Sequence, residues 1–238
     1  MSARRRPVRF PQTTLPLEVS SMSHVVPNTP APRFTVVIPV FNKLEYTQPC
    51  LESLERTLPH EVASIVVVDN GSTDGTAEWL AAQPHVRTIR NPENRGFANA
   101  CNLGAQAATT PYVLFLNNDI VAHEGWWQPL VALLDHDPRV VATASRLLFP
   151  DGTLQHAGVM LVEDHQLPDA LVARHVHHGA PGDLPDAQQR RCYQALTAAC
   201  FMVRREAFEA VGGFDEGYWN GYEDVDLCLR LQPHGLLV

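Results

Sequence analysis

The sequence predicts an α/β fold with a mostly parallel central sheet, because short apolar segments alternate with segments of helical periodicity. Three of the apolar segments have the length of a strand, and each stops at a polar cluster that favours a turn. They are Phe34–Val40, 65–68 and Tyr112–Leu116. Because helical patterns separate them, the order is β-α-β-α, which is typical of a parallel sheet. Ligands of such sheets bind beyond the carboxyl ends of the strands, so the polar clusters indicate where the site lies.

The remaining elements follow from apolar spacing and from turn-forming residues. Helices are predicted over 45–58, 74–83 (or 76–83), 96–108, 205–211 and 224–231. Further strands are predicted over 86–90 and 140–144, and a hairpin is predicted to pair 146–149 with 153–161. The segment 163–189 is expected to be a loop, and 195–203 a buried apolar segment.

Length and composition favour one globular domain preceded by a tail. The chain has 238 residues, of which 45% are hydrophobic, enough for a single core over 33–238. The segment 1–32 combines six prolines with an Arg4-Arg5-Arg6 run and is expected to be disordered. Contact between that run and an anionic membrane is the alternative to a solvated tail.

Charge and apolar content exclude several classes of protein. The net charge of −8 argues against nucleic acid as a partner. No apolar segment approaches the roughly 20 residues of a membrane span, and none follows the Arg run as in a signal peptide. The expected location is cytoplasmic, with peripheral association at the inner face of the cytoplasmic membrane left open. Five cysteines without a C-x-x-C pattern predict reduced, mostly buried thiols.

Two acidic residues directly follow predicted strands. Asp69 ends the second apolar segment and precedes Asn-Gly-Ser, so it can accept hydrogen bonds from a base N–H or a ribose hydroxyl. A cap of an Asx turn is the alternative. Asp119 ends the triplet 117–119, and one carboxylate there suits a hard divalent cation that also takes phosphate oxygens. A turn or helix cap is again the alternative.

Two further clusters carry titratable groups. In 223–226, Glu223 and Asp226 share a helix face at i and i+3, with Asp224 turned away. A general base and a helix cap are both open for these carboxylates. The histidine-rich segment 175–178 resembles a metal cluster, but no acidic or Cys residue lies at a suitable spacing from it. It is therefore expected to be a surface loop near a site.

Taken in order, these clusters resemble those of the inverting glycosyltransferases of family 2, which have the GT-A nucleotide-sugar fold. The resemblance is greatest to the bacterial branch that builds O-antigen, rhamnan or similar surface polysaccharides. It extends from residue 34 to the end of the chain. The matching segments are 36–43, 67–76, 91–98, 115–119, 154–159, 212–216 and 221–230.

The resemblance implies a nucleoside-diphosphate sugar, with UDP or dTDP, as the donor and a hydroxyl of a glycan or lipid-linked molecule as the acceptor. The residues that match the family's nucleotide-sugar contacts are Pro39, Phe41, Asn42, Asp69, Asn94, Arg95, Gly96 and Asn118. Among them, Asp69 is expected to hold the pyrimidine or the ribose. Asp119 matches the last acid of the D-x-D motif and is expected to bind Mg²⁺ or Mn²⁺. Asp224 is the expected base that deprotonates the acceptor, with Glu223 as the alternative.

Two features depart from the family pattern. The D-x-D motif reads Asn117-Asn118-Asp119, with a single carboxylate. The sequence ends at 235–238, where the family begins a further strand that precedes a metal-binding His. The domain is therefore expected to be incomplete at its C-terminus. The alternative function is a non-catalytic fragment that retains a nucleotide pocket.

Overall fold

The computed structural model describes residues 32–163, 171–219 and 221–238. The predicted tail lies outside these ranges except for residue 32. The strands are β1 (Phe34–Val40), β2 (Ala63–Asp69), β3 (Val86–Arg90), β4 (Tyr112–Leu116), β5 (Val140–Ala144), β6 (Leu147–Leu148), β7 (Leu154–His156), β8 (Val159–Glu163), β9 (Leu171–His175), β10 (Cys200–Arg204) and β11 (Leu236–Leu237). The helices are α1 (Leu44–Thr57), α2 (Thr76–Ala81), α3 (Gly96–Gln106), α4 (Gln128–His136), α5 (Arg205–Ala210) and α6 (Glu223–Leu231).

The central sheet has the strand order β11-β5-β10-β4-β1-β2-β3 in the described part of the chain. The neighbouring strands are parallel except at β10, which runs antiparallel to both β4 and β5. The chain moves outward from β1 to β3 and then returns to the other side of β1 with β4. The strand order therefore reverses between β1 and β4, and this is the place where sheets of this kind bind ligands.

Alternate residues of the central strands point to opposite faces, and each face has its own core. On one face, Val37 and Phe115 pack with buried residues of α3, α5 and α6. On the other face, Ile38 and Leu114 pack with buried residues of α1 and α4. Helices therefore cover both faces of the sheet, and its polar groups are reached mainly from its ends.

Most predicted elements are confirmed, because strand length and apolar spacing are local signals. The strands predicted over 86–90, 112–116 and 140–144 are found with the same bounds. The predicted helices are found within three residues at each end. The apolar segment 195–203 is buried and contains most of β10. α4 was not predicted, although its residues Leu130, Val131, Leu133 and Leu134 are buried at helical spacing.

The hairpin predicted over 146–161 is confirmed in its first part, because β6 pairs antiparallel with β7. It is wrong beyond β7, because β8 pairs with β9 rather than with the 146–149 segment. Gly158 separates β7 from β8 with a φ of 115°, and a Cβ there would collide with the ring of Tyr193. The chain thus changes direction within the predicted second strand of the hairpin. The predicted loop 163–189 contains β9 and the short 3₁₀ helix Pro185–Gln188; its residues 164–170 lie outside the described ranges.

The cysteines agree with the expected reduced state. Cys50, Cys101, Cys200 and Cys228 are buried free thiols, and Cys192 is a half-buried free thiol. Burial raises the pKa of Cys228 to about 12 and that of Cys200 to about 11. Both thiols therefore stay protonated at neutral pH and behave as small apolar core groups.

Gly104 allows α3 to lie directly on the sheet. An added Cβ would collide with the side chain of Val37 in β1 and would lie 3.2 Å from Val68 Cγ2 in β2. We expect Gly104→Ala to lower the free energy of unfolding by roughly 1–3 kcal/mol, because overpacking outweighs the gain in helix propensity. Urea unfolding measures this. Gln106→Ala, on the exposed side of the same helix, should change stability by less than about 0.5 kcal/mol, and equal stabilities of the two variants would contradict the packing argument.

Candidate functional site

The ends of β1, β2 and β3 are joined by backbone hydrogen bonds that continue past the strands. Asn70 N donates to Val40 O at 2.7 Å, and Asn91 N donates to Asp69 O at 2.8 Å. The three polar clusters that follow these strands are thereby held side by side. This is the edge of the sheet at which the sequence predicts the site.

Asp69 lies at the end of β2 and is fully buried. Its Oδ1 accepts a 2.8 Å hydrogen bond from Ser72 N, three residues further on, so it caps the turn that follows β2. Its Oδ2 has no hydrogen-bond partner in the described part of the chain, although Arg90 Nε lies 3.3 Å away without the alignment of a hydrogen bond. A buried carboxylate oxygen normally accepts hydrogen bonds. The turn cap therefore accounts for one oxygen, and the other is left with the ion pair to Arg90 and no aligned hydrogen bond.

Asn70 is the centre of an amide network beneath this edge. Its Nδ2 donates to Asn94 Oδ1 at 2.9 Å and to Gly96 O at 3.0 Å. Its Oδ1 accepts from Asn91 Nδ2 at 2.8 Å and from Arg95 N at 3.2 Å. Asn94 Oδ1 also accepts from Gly96 N at 2.9 Å. Asn94 thus positions the loop before α3 through its oxygen, and the exposed side chain of Arg95 extends from that loop.

The loop after β1 is locked to the loop after β2. Asn42 has a φ of 54°, its N donates to Ser72 Oγ at 2.7 Å, and its Oδ1 accepts from Thr73 N at 2.8 Å. Phe41 is 46% exposed beside it, and Pro39 is half-buried in β1. The side-chain oxygen of Asn42 is therefore engaged, whereas the ring of Phe41 is partly exposed to solvent.

The loop after β4 is fixed by one side of α1. Thr47 Oγ1 accepts from Asn118 Nδ2 at 3.0 Å, and Ser53 Oγ accepts from Ala122 N at 2.9 Å. Thr57 Oγ1 accepts from Trp126 Nε1 at 3.1 Å. These contacts hold the loop while the side chain of Asp119 stays exposed. The negative charge of Asp119 contributes, after burial, to raising the pKa of Cys50 to about 12.

Glu223 and Asp224 begin α6 and lie in different environments. Glu223 is 8% exposed, and its Oε2 has no hydrogen-bond partner among the described residues. Burial, and then the charge of Asp224, raise the pKa of Glu223. Asp224 is half-buried and accepts from Ala198 N at 3.1 Å and from Val225 N at 2.8 Å. The bond to Val225 N is a local contact with the next residue, whereas the bond to Ala198 N ties α6 to the segment that leads into β10.

The i, i+3 spacing suggests that Asp226 lies in the same environment as Glu223, but the contacts of Asp226 are different. It forms an ion pair with Arg230, 2.6 Å from Nη2, on the same helix. Arg230 Nη1 also donates to the carbonyl oxygens of Val211 and Gly213 at 2.7 Å. The pair therefore fastens α6 to the 212–216 motif. Asp226 is a structural carboxylate, and the two candidates for a base remain Glu223 and Asp224.

The histidine-rich segment lies partly in β9, because His175 is the last residue of that strand. His177 Nε2 lies 2.8 Å from Asp186 Oδ2, so an acidic residue contacts this segment although the sequence spacing did not suggest one. Asp186 lies nine residues further along the chain, and the turn brings it back. Within the described residues, no group of three or more His, Cys, Asp or Glu side chains is arranged to hold a metal ion.

Several residues that form the site were not predicted. Thr47 and Ser53 hold the loop that carries Asp119, and Ser72 holds both Asp69 and Asn42. Asn102 Nδ2 donates to Glu216 Oε1 at 3.0 Å and so joins α3 to the 212–216 motif. Helical spacing places Thr47 and Ser53 on α1, but no sequence pattern identifies their partners. In the described part of the chain, no helix combines the length and apolarity that a membrane span requires.

Comparison with known proteins identifies a family. A model of glycosyl transferase family 2 matches residues 35–212. The O-antigen biosynthesis protein RfbC of Myxococcus xanthus is 30% identical over 220 residues, which are 87% of this chain and 16% of that protein. N-acetylglucosaminyl-diphospho-decaprenol L-rhamnosyltransferase of Mycobacterium tuberculosis is 30% identical over 73% of this chain and 62% of its own length. The chain thus spans a minor part of RfbC and under two thirds of the rhamnosyltransferase.

Solved structures agree on the fold. GalNAc-T7 with UDP, GalNAc and Mn²⁺ superposes with a TM-score of 0.66 at 20% identity, over 87% of this chain and 42% of that one. The mannosyltransferase PcManGT of Pyrobaculum calidifontis, in complex with GDP-Man and Mn²⁺, has a TM-score of 0.59 at 21% identity, over 90% of this chain and 56% of that one. These likenesses confirm the GT-A fold. The chain belongs to glycosyl transferase family 2 and resembles its surface-polysaccharide branch.

Proposed function

We propose that this chain transfers a sugar from a nucleoside-diphosphate sugar to a hydroxyl of a glycan or lipid-linked acceptor, with inversion, in the synthesis of a cell-surface polysaccharide. The observation that carries the proposal is the buried carboxylate of Asp69 at the end of β2, whose Oδ2 lies 3.3 Å from Arg90 Nε but accepts no aligned hydrogen bond within the described residues. That oxygen needs a donor, and a ribose hydroxyl or a pyrimidine N–H supplies one. The nucleotides named with the two solved relatives support this assignment.

The remaining groups fit one displacement at the anomeric carbon. The exposed guanidinium of Arg95 carries the charge that a diphosphate needs. Either Asp224 or Glu223 takes the proton of the acceptor hydroxyl as its oxygen attacks from the face opposite the diphosphate. A single displacement of this kind inverts the anomeric centre. Asp224 is the first choice, and Glu223 is the alternative.

A divalent cation fits this site only together with the substrate. Asp119 offers one exposed carboxylate, and Mg²⁺ or Mn²⁺ is commonly held by one or two carboxylates plus substrate phosphate oxygens. Asp119 is therefore the residue that would hold the ion, with the diphosphate as its other main ligand. When bound, the ion would neutralise the charge that develops on the leaving diphosphate. The Mn²⁺ named with both solved relatives supports a divalent cation.

The similar proteins and the net charge of the chain suggest its donor, its acceptor and its cellular location. We favour a UDP- or dTDP-sugar. The decaprenol diphosphate in the name of the mycobacterial relative favours a lipid-linked acceptor. Such an acceptor would bring the chain to the inner face of the cytoplasmic membrane from the cytoplasm. The net charge of −8 argues against a nucleic-acid partner.

Release of nucleoside diphosphate from a panel of UDP-, dTDP- and GDP-sugars tests the proposal. The chain is assayed with Mn²⁺, with Mg²⁺ and with EDTA, and binding of UDP, dTDP and GDP is measured in parallel by calorimetry. We expect release with one class of donor and only with metal. Binding of a nucleotide without release from any donor would support the alternative function, a non-catalytic nucleotide-binding fragment. Failure to bind any of the three nucleotides would contradict both functions.

We expect Asp69→Asn to weaken nucleotide binding by roughly 10–100-fold, the equivalent of a hydrogen bond to a charged group. The substitution keeps an oxygen for Ser72 N but removes the second carboxylate oxygen. Calorimetry should find the same loss with Mn²⁺ and with EDTA, because the base and ribose lie away from the diphosphate. Asp151→Asn is the matched control, since Asp151 also accepts from the backbone N–H of its own turn, that of Thr153 at 2.9 Å. A loss seen only with metal would contradict the assignment.

A further inference from the structure

The 212–216 motif matches the family pattern, but the proposed function uses none of its side chains. Gly213 has a φ of 73°, and a Cβ there would lie 2.6 Å from Asn102 Oδ1 in α3. Phe214 is 2% exposed, and its ring packs on that of Phe115 in β4 with centroids 5.0 Å apart. The motif therefore lies tightly against both α3 and the sheet.

Two asparagines of α3, one turn apart, hold the motif. Asn102 Nδ2 donates to Phe214 O at 2.9 Å, and Asn102 Oδ1 accepts from Phe214 N at 2.9 Å. Glu216 Oε1 accepts from Asn102 Nδ2 at 3.0 Å, and Glu216 Oε2 accepts from Asn99 Nδ2 at 2.8 Å. Hydrogen bonds to a carboxylate are stronger than those between neutral groups. One acid thus binds both asparagines at the same time.

From Glu216, an unbroken chain of hydrogen bonds leads to the loop before α3. Asn99 Oδ1 accepts from Asn91 Nδ2 at 3.2 Å, and Asn91 Nδ2 also donates to Asn70 Oδ1 at 2.8 Å. The same oxygen of Asn70 accepts from Arg95 N at 3.2 Å. A carboxylate only accepts, and a backbone N–H only donates, so the two ends of the chain agree on one orientation for each amide between them.

On its other side, the motif is fastened to the helix that carries the candidate bases. Arg230 Nη1 donates to Gly213 O at 2.7 Å. Arg230 lies in α6, a helix of nine residues that begins with Glu223 and Asp224. A helix of under three turns whose hydrogen bonds are intact moves as one unit. The motif is therefore joined to the loop of Arg95 through α3 and to the candidate bases through α6.

We propose that the 212–216 motif is a clamp that sets the position of the α6 acids relative to the loop before α3. The inference rests on the proposed function, in which Arg95 binds the diphosphate and an acid at the start of α6 takes the proton of the acceptor. A displacement of about 1 Å between such groups can cost roughly 10²-fold in rate. The positioning residues in this scheme, which act through the two helices, are Asn99, Asn102 and Glu216.

Two isosteric substitutions each break the contact between α3 and the motif, and their combination restores it. Asn99→Asp sets a second carboxylate against Glu216. Glu216→Gln leaves one oxygen for the two amide donors of α3. In the double variant, the new amide at 216 donates to the new carboxylate at 99, whose other oxygen still accepts from Asn91 Nδ2. The oxygen at 216 still accepts from Asn102 Nδ2.

The first test measures turnover of the UDP- or dTDP-sugar on which the wild type acts, below the melting temperature of every variant. We expect kcat to fall roughly 10–10²-fold in Asn99→Asp and in Glu216→Gln, with nucleotide affinity by calorimetry unchanged. The double variant should recover most of the wild-type kcat. Unchanged kcat in both single variants, or a loss of kcat that the double variant does not recover, would overturn the clamp.

The matched control for Glu216→Gln lies in the same motif. Asp215 is exposed, and its Oδ1 accepts from Gly217 N at 2.8 Å, a contact within its own turn. Asp215→Asn makes the same change of charge and should leave kcat unchanged. A loss of kcat in Asp215→Asn equal to that in Glu216→Gln would overturn the clamp, because the loss would then follow from neutralising any acid of the motif.

The second test needs no turnover. The N–H of Ala198 donates to Asp224 Oδ2 at 3.1 Å, so its hydrogen exchange, followed by NMR, reports whether the start of α6 is in place. We expect exchange at Ala198 to be roughly 10-fold faster in Asn99→Asp and in Glu216→Gln. The double variant and Asp215→Asn should exchange at the wild-type rate.

The two tests separate the clamp from the proposed function. Unchanged exchange at Ala198 in both single variants would overturn the clamp, whatever the rate of transfer. Absence of transfer by the wild type, together with the expected exchange pattern, would overturn the proposed function alone, because the position of Asp224 would still depend on the motif.

Discussion

Asp224→Asn is expected to lower kcat by roughly 10²–10⁴-fold while nucleotide binding survives, because it removes the base and keeps the shape of the side chain. One of the two backbone bonds from Ala198 and Val225 is lost with the second oxygen. We therefore expect a stability loss of roughly 1–3 kcal/mol as well. Rates are measured well below the melting temperature of the variant, so that unfolding does not enter the comparison.

The neighbouring acids of α6 supply the controls for this prediction. Glu223→Gln tests the alternative base, and a larger loss of kcat there than in Asp224→Asn would move the role to Glu223. Asp226→Asn breaks the ion pair with Arg230. It should cost stability but leave kcat within a few-fold of the wild type. Full transfer by both Asp224→Asn and Glu223→Gln would place the base outside α6.

Asp119→Ala is expected to abolish the contribution of metal to nucleotide binding and to leave the fold intact. The carboxylate is exposed on a loop that Thr47, Ser53 and Thr57 hold by hydrogen bonds. Those bonds do not involve the side chain of Asp119, so we expect stability to change by less than about 0.5 kcal/mol. Metal affinity in the presence of nucleotide should fall by more than roughly 10²-fold, the upper cost of losing an outer-shell partner.

Calorimetry with UDP or dTDP, in Mn²⁺ and in EDTA, measures the effect of Asp119→Ala. The affinity of the variant in Mn²⁺ should equal the affinity of the wild type in EDTA. Glu124→Ala is the matched control, because Glu124 is an exposed acid on the same loop. Normal Mn²⁺-dependent binding by Asp119→Ala, or an equal loss in Glu124→Ala, would show that the metal assignment is wrong.

Local sequence patterns predicted most strands of the sheet and the edge at which the polar residues lie. β4 and β5 were predicted with correct bounds because each is a five-residue, mostly apolar segment between turn signals, which leaves few alternatives. The polar residues that follow β1, β2 and β4 were expected at one edge of the sheet and are found there, since parallel strands end together. The sequence alone also showed the family resemblance, because that resemblance depends on the order of motifs along one chain.

Contacts between residues that are far apart in the sequence could not be predicted from local patterns. The same apolar pattern suits a parallel and an antiparallel strand, so β10 was recognised as a buried segment without its direction. The turn at Gly158 was missed because the reason for it, the ring of Tyr193, lies 35 residues away in sequence. Helical spacing grouped Asp226 with Glu223, but in the structure Asp226 forms an ion pair with Arg230 instead.

By itself, the sequence determined the α/β class, the parallel strands and the polar residues that follow them at one edge of the sheet, because these depend on local periodicity and on motif order. The tertiary structure decided which of those side chains are already engaged. Asn94 is occupied by Asn70, and the second oxygen of Asp69 lies near Arg90 without an aligned hydrogen bond in the described part of the chain. Hydrogen-bond satisfaction and burial are set by neighbours from other elements. A sequence pattern names such groups, and only the packed chain shows which of them remain available to a ligand.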